Sequence, residues 1–134
     1  MKPGTLAKAV KLAGQKGYVF IATADNLGKT HLAAARTISI RPGNKISVSD
    51  WFCPQTMENL QTNNSLSIVA WDEKSDAGFQ ILGEVEAIND LAMLNGYSPD
   101  QTGKQSIPQV NRELLIKVDR IVDFKIAPHS DLEE

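Results

Sequence analysis

The sequence has a single cysteine, Cys53, so no intrachain disulfide framework exists and a reducing, cytoplasmic setting is expected. It has two histidines, His31 and His129, far apart and without Cys, Asp or Glu at ligand spacing, so no metal site is expected. Charge of neither sign dominates: Lys plus Arg is 14 and Asp plus Glu is 16. A basic excess is the usual footprint of a nucleic-acid binder, and none is present. No apolar run approaches the roughly 20 residues of a membrane helix, and Met1-Lys-Pro-Gly-Thr-Leu has no apolar signal core. Neither nucleic acid nor membrane is expected as a partner. G-x-S-x-G, phosphate-loop and dinucleotide fingerprints are missing too, and no catalytic residue is assigned. At 134 residues the chain fits one domain, 1–134, with a polar tail over 127–134. The expectation is a soluble cytoplasmic domain.

What is present is a change of period along the chain. Leu6, Ala9, Val10 and Ala13 recur at helical spacing behind Thr5, a potential cap, and Gly14 and Gly17 punctuate the end. From Tyr18 the period is two. Tyr18-Val-Phe-Ile-Ala-Thr23 reads as a strand, Asp25-Asn-Leu-Gly28 as a turn, and Thr30 to Ile40 as the return strand. Leu32, Ala34, Ile38 and Ile40 share one face of that strand. A turn at Arg41-Pro-Gly-Asn44 leads to a strand at Lys45–Ser49. Pro54 suits a helix start, and a short helix is predicted from about Pro54 to Thr62. Strands follow at Leu66–Trp71 and Phe79–Ile88. Asn89-Asp90 can cap a third helix running towards Asn95-Gly96, and Ser98 to Gln109 reads as a loop. Leu114 to Ile126 fits both periods, with β-branched enrichment favouring a strand broken near Ile121. The sum is a mainly β chain: about six antiparallel strands joined by short hairpins, with two to three short helices.

Four places carry possible chemistry. Arg36 lies between Ala34 and Ile38 on an apolar face, so it is a rim or interface cation or an anion ligand. Ser49, then Gln55-Thr56 at a helix start, then Asn59-Leu60, can form a phosphate cradle from backbone N–H groups and a hydroxyl. Thr56 can equally cap its own helix. Gly83 in Gly78-Phe79-Gln-Ile-Leu-Gly83 marks a bulge or a close approach of backbone or ligand. Cys53 stands between Phe52 and Pro54, with no basic sequence neighbour to activate a thiol, and reads as a small hydrophobe.

In this order the features resemble the FMN-binding split-barrel family around pyridoxamine 5′-phosphate oxidase, nearest to its small one-domain bacterial FMN-binding proteins. The matching stretches are Ile21-Ala-Thr-Ala-Asp-Asn-Leu-Gly-Lys-Thr-His31, Pro42-Gly-Asn-Lys-Ile-Ser-Val48, the set Ser49, Gln55 and Asn59-Leu60, and Gly78, Phe79 and Gly83. The resemblance covers about Met1 to Ile88 and, more loosely, Leu114–Val118. It implies a six-stranded antiparallel split β-barrel and a homodimer with FMN held non-covalently at the interface. It also implies an electron-transfer protein or flavin-dependent oxidoreductase. By position it places Ala35, Arg36, Thr37, Ser49, Gln55 and Thr56 at the phosphate and Asp50 and Trp51 near the isoalloxazine ring. Turnover of pyridoxamine 5′-phosphate itself is not expected, because no second basic set is present to grip that substrate.

The chain departs from the family at position 55, and also at Ala34 and Ala35, where close relatives are polar. The family places Lys where Gln55 stands here. A hydrogen bond to a charged partner contributes about 1.5–3 kcal/mol against about 1 for a neutral one, so the exchange weakens phosphate binding roughly tenfold. Either Arg36 supplies the charge, or the chain is a split-barrel binding module that has lost or weakened flavin binding.

Overall fold

The computed structural model describes residues 4–51, 53–94 and 109–132. Helix α1 (Thr5–Lys16) starts at Gly4, the N-cap with φ 85°, so Thr5 is the first helical residue and not the cap. Gly17, at φ 83°, closes it, donating its N–H to the carbonyl of Ala13, while Gly14 stays inside the helix. Left-handed backbone at a helix end suits glycine, which has no Cβ to clash. Leu6, Ala9 and Ala13 form the buried stripe that the spacing predicts.

Seven strands follow: β1 (Val19–Ala24), β2 (Thr30–Ala35), β3 (Thr37–Arg41), β4 (Lys45–Ser49), β5 (Ser65–Asp72), β6 (Ala77–Leu94) and β7 (Gln109–Asp123). Helix α2 (Pro54–Thr62) sits between β4 and β5 with Pro54 in its first turn, as read from the sequence. All pairings are antiparallel, in one sheet of order β2-β1-β5-β6-β7-β4-β3. The architecture is the expected split barrel, with seven strands where about six are expected and two differences of detail.

The first concerns Thr30 to Ile40, which is two strands and not one. It breaks at Arg36 because the chain changes partner there: Ala35 pairs with Val19 of β1, and Thr37 pairs with Ser49 of β4. β2 and β3 are the two edges of the sheet, yet a single residue joins them. Two Cα steps span at most about 7.6 Å. The sheet therefore curls until its edges meet at Arg36, closed by the chain itself and not by a ladder of hydrogen bonds. Curling also settles the faces. Leu32 and Ile40 are 67% and 46% exposed, and Ala35 is buried, so the apolar face containing Leu32 looks outward.

The second concerns Asn89 to Leu94. These residues continue β6 and do not open a helix; Asn89 pairs with Glu113 and Asp90 with Arg112 across the ribbon to β7. Long-range pairing overrides the local capping signal. Asn95-Gly96 and residues 98–108 lie outside the described residues, and Gln109 begins β7. Leu114 to Ile126 is a strand through Asp123, as the β-branched enrichment favours, and its register breaks at Asp119, near Ile121.

The β6–β7 ribbon joins the two halves, pairing with β5 on one side and β4 on the other. Register shifts at Leu82/Gly83, Val85/Ala87 and Asp90/Ala92 bend it. Gly83 is required at the first of these, because a Cβ there would run into the carbonyl oxygen of Lys117 and Cγ2 of Ile116. Both sequence alternatives for Gly83 thus apply, with backbone as the close neighbour. Ile21, Ile46, Ile68, Leu114, Ile116 and Ile121 are fully buried, and with α1 they fill the core. No helix among the described residues is long and apolar enough to cross a membrane.

Asp76, at φ 49°, ties the C-terminal stretch to the β5–β6 turn. Its carboxylate accepts the N–H groups of Ile126 (2.8 Å) and Ala127 (2.9 Å) and the indole N–H of Trp71 (3.1 Å). The two backbone donors, Ile126 first, hold its carboxyl below the ordinary 3.8. A carboxyl lowered by folding contributes stability that is complete above the unfolded pKa and lost as pH falls through the folded one. Asp76→Asn should therefore lower the urea midpoint at pH 7, and its gap to wild type should close as pH falls below about 4. A gap that stays constant from pH 7 to pH 2.5 would exclude this role for the charge.

Candidate functional site

The eight residues singled out by position fall into two places. Ala35, Arg36, Thr37, Ser49, Asp50 and Trp51 come together at the corner where β2 gives way to β3 and β4 ends. Gln55 and Thr56 lie in the first turn of α2.

The corner is organised by Asp50. It adopts φ 61°, left-handed backbone that costs a non-glycine residue about 1 kcal/mol. Its carbonyl accepts the N–H of Arg36 (3.3 Å), which extends the β3–β4 ladder up to the break. Its carboxylate accepts the Thr37 hydroxyl. Asn111 of β7 clasps it twice: Asp50 N–H donates to Asn111 Oδ1 (3.0 Å), and Asn111 Nδ2 donates to Asp50 Oδ1 (2.9 Å). Asn111 lies 61 residues away, and no local pattern in the sequence marks it. Two residues further along β7, Glu113 accepts the Ser47 hydroxyl (2.7 Å), Asn89 Nδ2 (3.2 Å) and Arg41 Nη2 (3.2 Å). These bonds, that from Ser47 foremost, hold its carboxyl below the usual range. Polar contacts thus stitch β7 to the β3–β4 hairpin beside the corner.

Arg36 is exposed at the break and carries no ion pair among the described residues. Ser49 is half-buried, and Ala35 and Trp51 are core residues, the indole being 2% exposed. Its Nε1 has no hydrogen-bond partner.

The α2 start is built differently. Cys53 is the N-cap, no side chain caps the helix, and no acidic residue occupies its first turn. Thr56 is therefore not the cap. It is fully buried and its hydroxyl lacks a partner. Gln55 Nε2 donates to Asn59 Oδ1 (2.9 Å), and Asn59 Nδ2 donates to the buried Thr23 hydroxyl (3.0 Å). This chain of hydrogen bonds anchors α2 on β1. A cavity of about 310 Å³ opens here, lined by Asp25, Lys29, Thr30, His31, Gln55 and Asn59. His31 also brings Nδ1 to 3.8 Å from Cys53 Sγ, the basic neighbour that the local sequence lacks. A second cavity, of about 420 Å³, is lined by residues that include Ala24, Ser67, Gly83 and Arg120, and by none of the eight. Among the described residues no cluster of His, Cys, Asp and Glu could hold a metal ion.

No protein-family model and no curated protein matches the sequence. Solved structures do. An FMN-binding protein from Syntrophomonas wolfei subsp. wolfei is 17% identical, with TM-score 0.65 over 92% of this chain and 88% of that one. A Clostridium acetobutylicum protein of the pyridoxinephosphate oxidase family, related to general stress protein 26 of B. subtilis, is 16% identical, with TM-score 0.64 over 99% and 96%. HutZ, the heme storage protein from Vibrio cholerae, is 12% identical, with TM-score 0.52 over 90% and 94%. The chain thus has the fold of the FMN-binding, pyridoxamine 5′-phosphate oxidase-type proteins, and that fold also carries a heme storage protein.

The clasp yields a direct test. Asn111→Ala removes two hydrogen bonds from a strained residue and should cost about 1–2 kcal/mol in urea unfolding, with faster hydrogen exchange at the Asp50 amide. An unchanged midpoint and unchanged exchange at Asp50 would show that the corner holds itself.

Proposed function

We propose that the chain binds FMN non-covalently and serves in electron transfer or flavin-dependent oxidoreduction, as a homodimer with the flavin site at the interface. The observation that carries the reading is the pair of orphaned buried polar groups. Trp51 Nε1 and Thr56 Oγ1 are buried without partners, and both belong to the eight residues singled out from the sequence. A buried polar atom left unpaired costs about 1–3 kcal/mol, so two among the eight residues, one at the corner and one at the start of α2, support a site that a ligand completes.

The residues present fit the group. Ser49 supplies a hydroxyl at the corner, and α2 supplies uncapped backbone N–H groups at Gln55 and Thr56. Asp50 and Trp51 lie where a flavin ring would approach the corner. Bound flavin would supply one- and two-electron transfer, the chemistry of the cofactor and not of a side chain. The chain's own part is to grip the phosphate, to position the ring and to exclude water from it.

The outward apolar face supports the dimer. Phe20 and Leu32 are 43% and 67% exposed on neighbouring strands β1 and β2, with Phe20 paired to Ala34 and Ala22 to Leu32, and Tyr18, just before β1, is 41% exposed. Tyr18 and Phe20 pack edge to face at 5.4 Å. A contiguous apolar face of this kind marks an interface. The competing reading is a split-barrel binding module with weakened or lost flavin binding. Gln55 favours it, because the position is neutral and its amide is already bonded to Asn59.

Titration with FMN decides between them. Uptake at micromolar FMN, with quenched flavin fluorescence, is the expected result. A protein that takes up none, but gains measurable affinity on Gln55→Lys, is the binding module. For the dimer, light scattering should give twice the chain mass, and Leu32→Glu should give the monomer and abolish FMN uptake together. A wild-type monomer would remove the shared site.

A further inference from the structure

From the cavity beside α2 we infer that Lys29, not Arg36, supplies the positive group that meets the phosphate in place of the lysine missing at position 55, with His31 beside it as a hydrogen-bonding group. The inference rests on the FMN reading above and names the residues of its phosphate end.

Gln55 and Asn59 share the 310 Å³ cavity with Lys29 and His31. Asn59 is 2% exposed, so the floor of the cavity is a fixed carboxamide and not a mobile surface group. Lys29 enters no ion pair among the described residues, although Asp25 stands four positions before it. The reason is the turn. Asp25 Oδ1 accepts the backbone N–H groups of Leu27 and Lys29, both at 2.9 Å, which holds that oxygen on the backbone while the carboxylate also lines the cavity, and the Lys29 ammonium keeps no ion-pair partner among the described residues. Across the cavity, α2 begins without a capping side chain and without an acidic residue in its first turn, so its field there is positive and uncompensated. Lysine, uncapped helix and imidazole thus border one open cavity.

Arg36 is excluded by distance. It stands five residues beyond His31, roughly 16 Å along an extended chain, and with opposite parity. An arginine side chain cannot span that gap. The cation lost at position 55 is replaced from the β1–β2 turn, which reaches the start of α2, and not from the corner.

FMN and riboflavin differ only by the phosphate, so the ratio of their affinities isolates this end of the site. Lys29→Gln should lower the FMN-to-riboflavin ratio about tenfold, with riboflavin affinity unchanged, and Arg36→Gln should leave the ratio intact. Lys29 is an exposed turn residue whose side chain packs against nothing in the core, so the variant keeps its fold. A ratio unmoved by Lys29→Gln, or collapsed by Arg36→Gln, overturns the inference while leaving FMN binding in place. A second readout needs no flavin: inorganic phosphate at fixed pH should shift the His31 imidazole resonances of the wild type and not of Lys29→Gln. No shift in the wild type overturns the inference. A phosphate response in a protein that binds neither flavin supports the anion site and overturns the FMN reading alone.

Discussion

One residue, Arg36, joins the two edges of a seven-stranded sheet, and much of the structure follows from that covalent link. Edge strands normally diverge as a sheet twists, and unpaired edges invite aggregation. Here the chain runs from one edge to the other through a single position, so the sheet must curl until Ala35 and Thr37 stand side by side. The curl brings the end of β4 to the break, where Asp50 in left-handed backbone receives the N–H of Arg36. Asn111 then locks Asp50 from β7. The curl of the sheet and the geometry of the corner thus depend on the same residues, and the strain at Asp50 is held by contacts from two other strands.

Much of this was legible in the sequence, for physical reasons that can be named. α2 was readable to the residue because Pro54 and Asn63-Asn64 mark its ends locally. The antiparallel order of early strands was readable because Asp25-Asn-Leu-Gly28 and Arg41-Pro-Gly-Asn44 fix short hairpins. Two elements were not readable. The break at Arg36 is a change of partner, which leaves no trace in a pattern of alternating residues. Asn89-Asp90 carries a sound capping signal that loses to pairing with β7, twenty or more residues away. The same distance explains the site. Of its local members, Ser49, Gln55 and Thr56 were nameable from their place at a strand end and a helix start and Asp50 and Trp51 from the family resemblance, whereas Asn111, and the approach of His31 to Cys53, depend on contacts 61 and 22 residues apart.

The candidate site therefore has two ends with different physics. The corner is a rigid arrangement of strand backbone, hydroxyls and one clasped carboxylate. The α2 end is a polar cavity whose side-chain cation comes from a turn. The Gln55–Asn59–Thr23 chain of hydrogen bonds ties α2 to β1 at the second end. It gives the neutral residue at position 55 a structural task of its own, and it leaves the charge to be met from Lys29.

A crystal structure grown with FMN tests this account most directly. It should show the flavin phosphate in the cavity bounded by Lys29, His31 and Gln55, at the start of α2, with the rest of the cofactor running towards the Asp50 corner and a second copy of the chain covering the face of Phe20 and Leu32. A phosphate bound to Arg36 instead, or crystals of the dimer with that cavity filled only by water at saturating FMN, would contradict it.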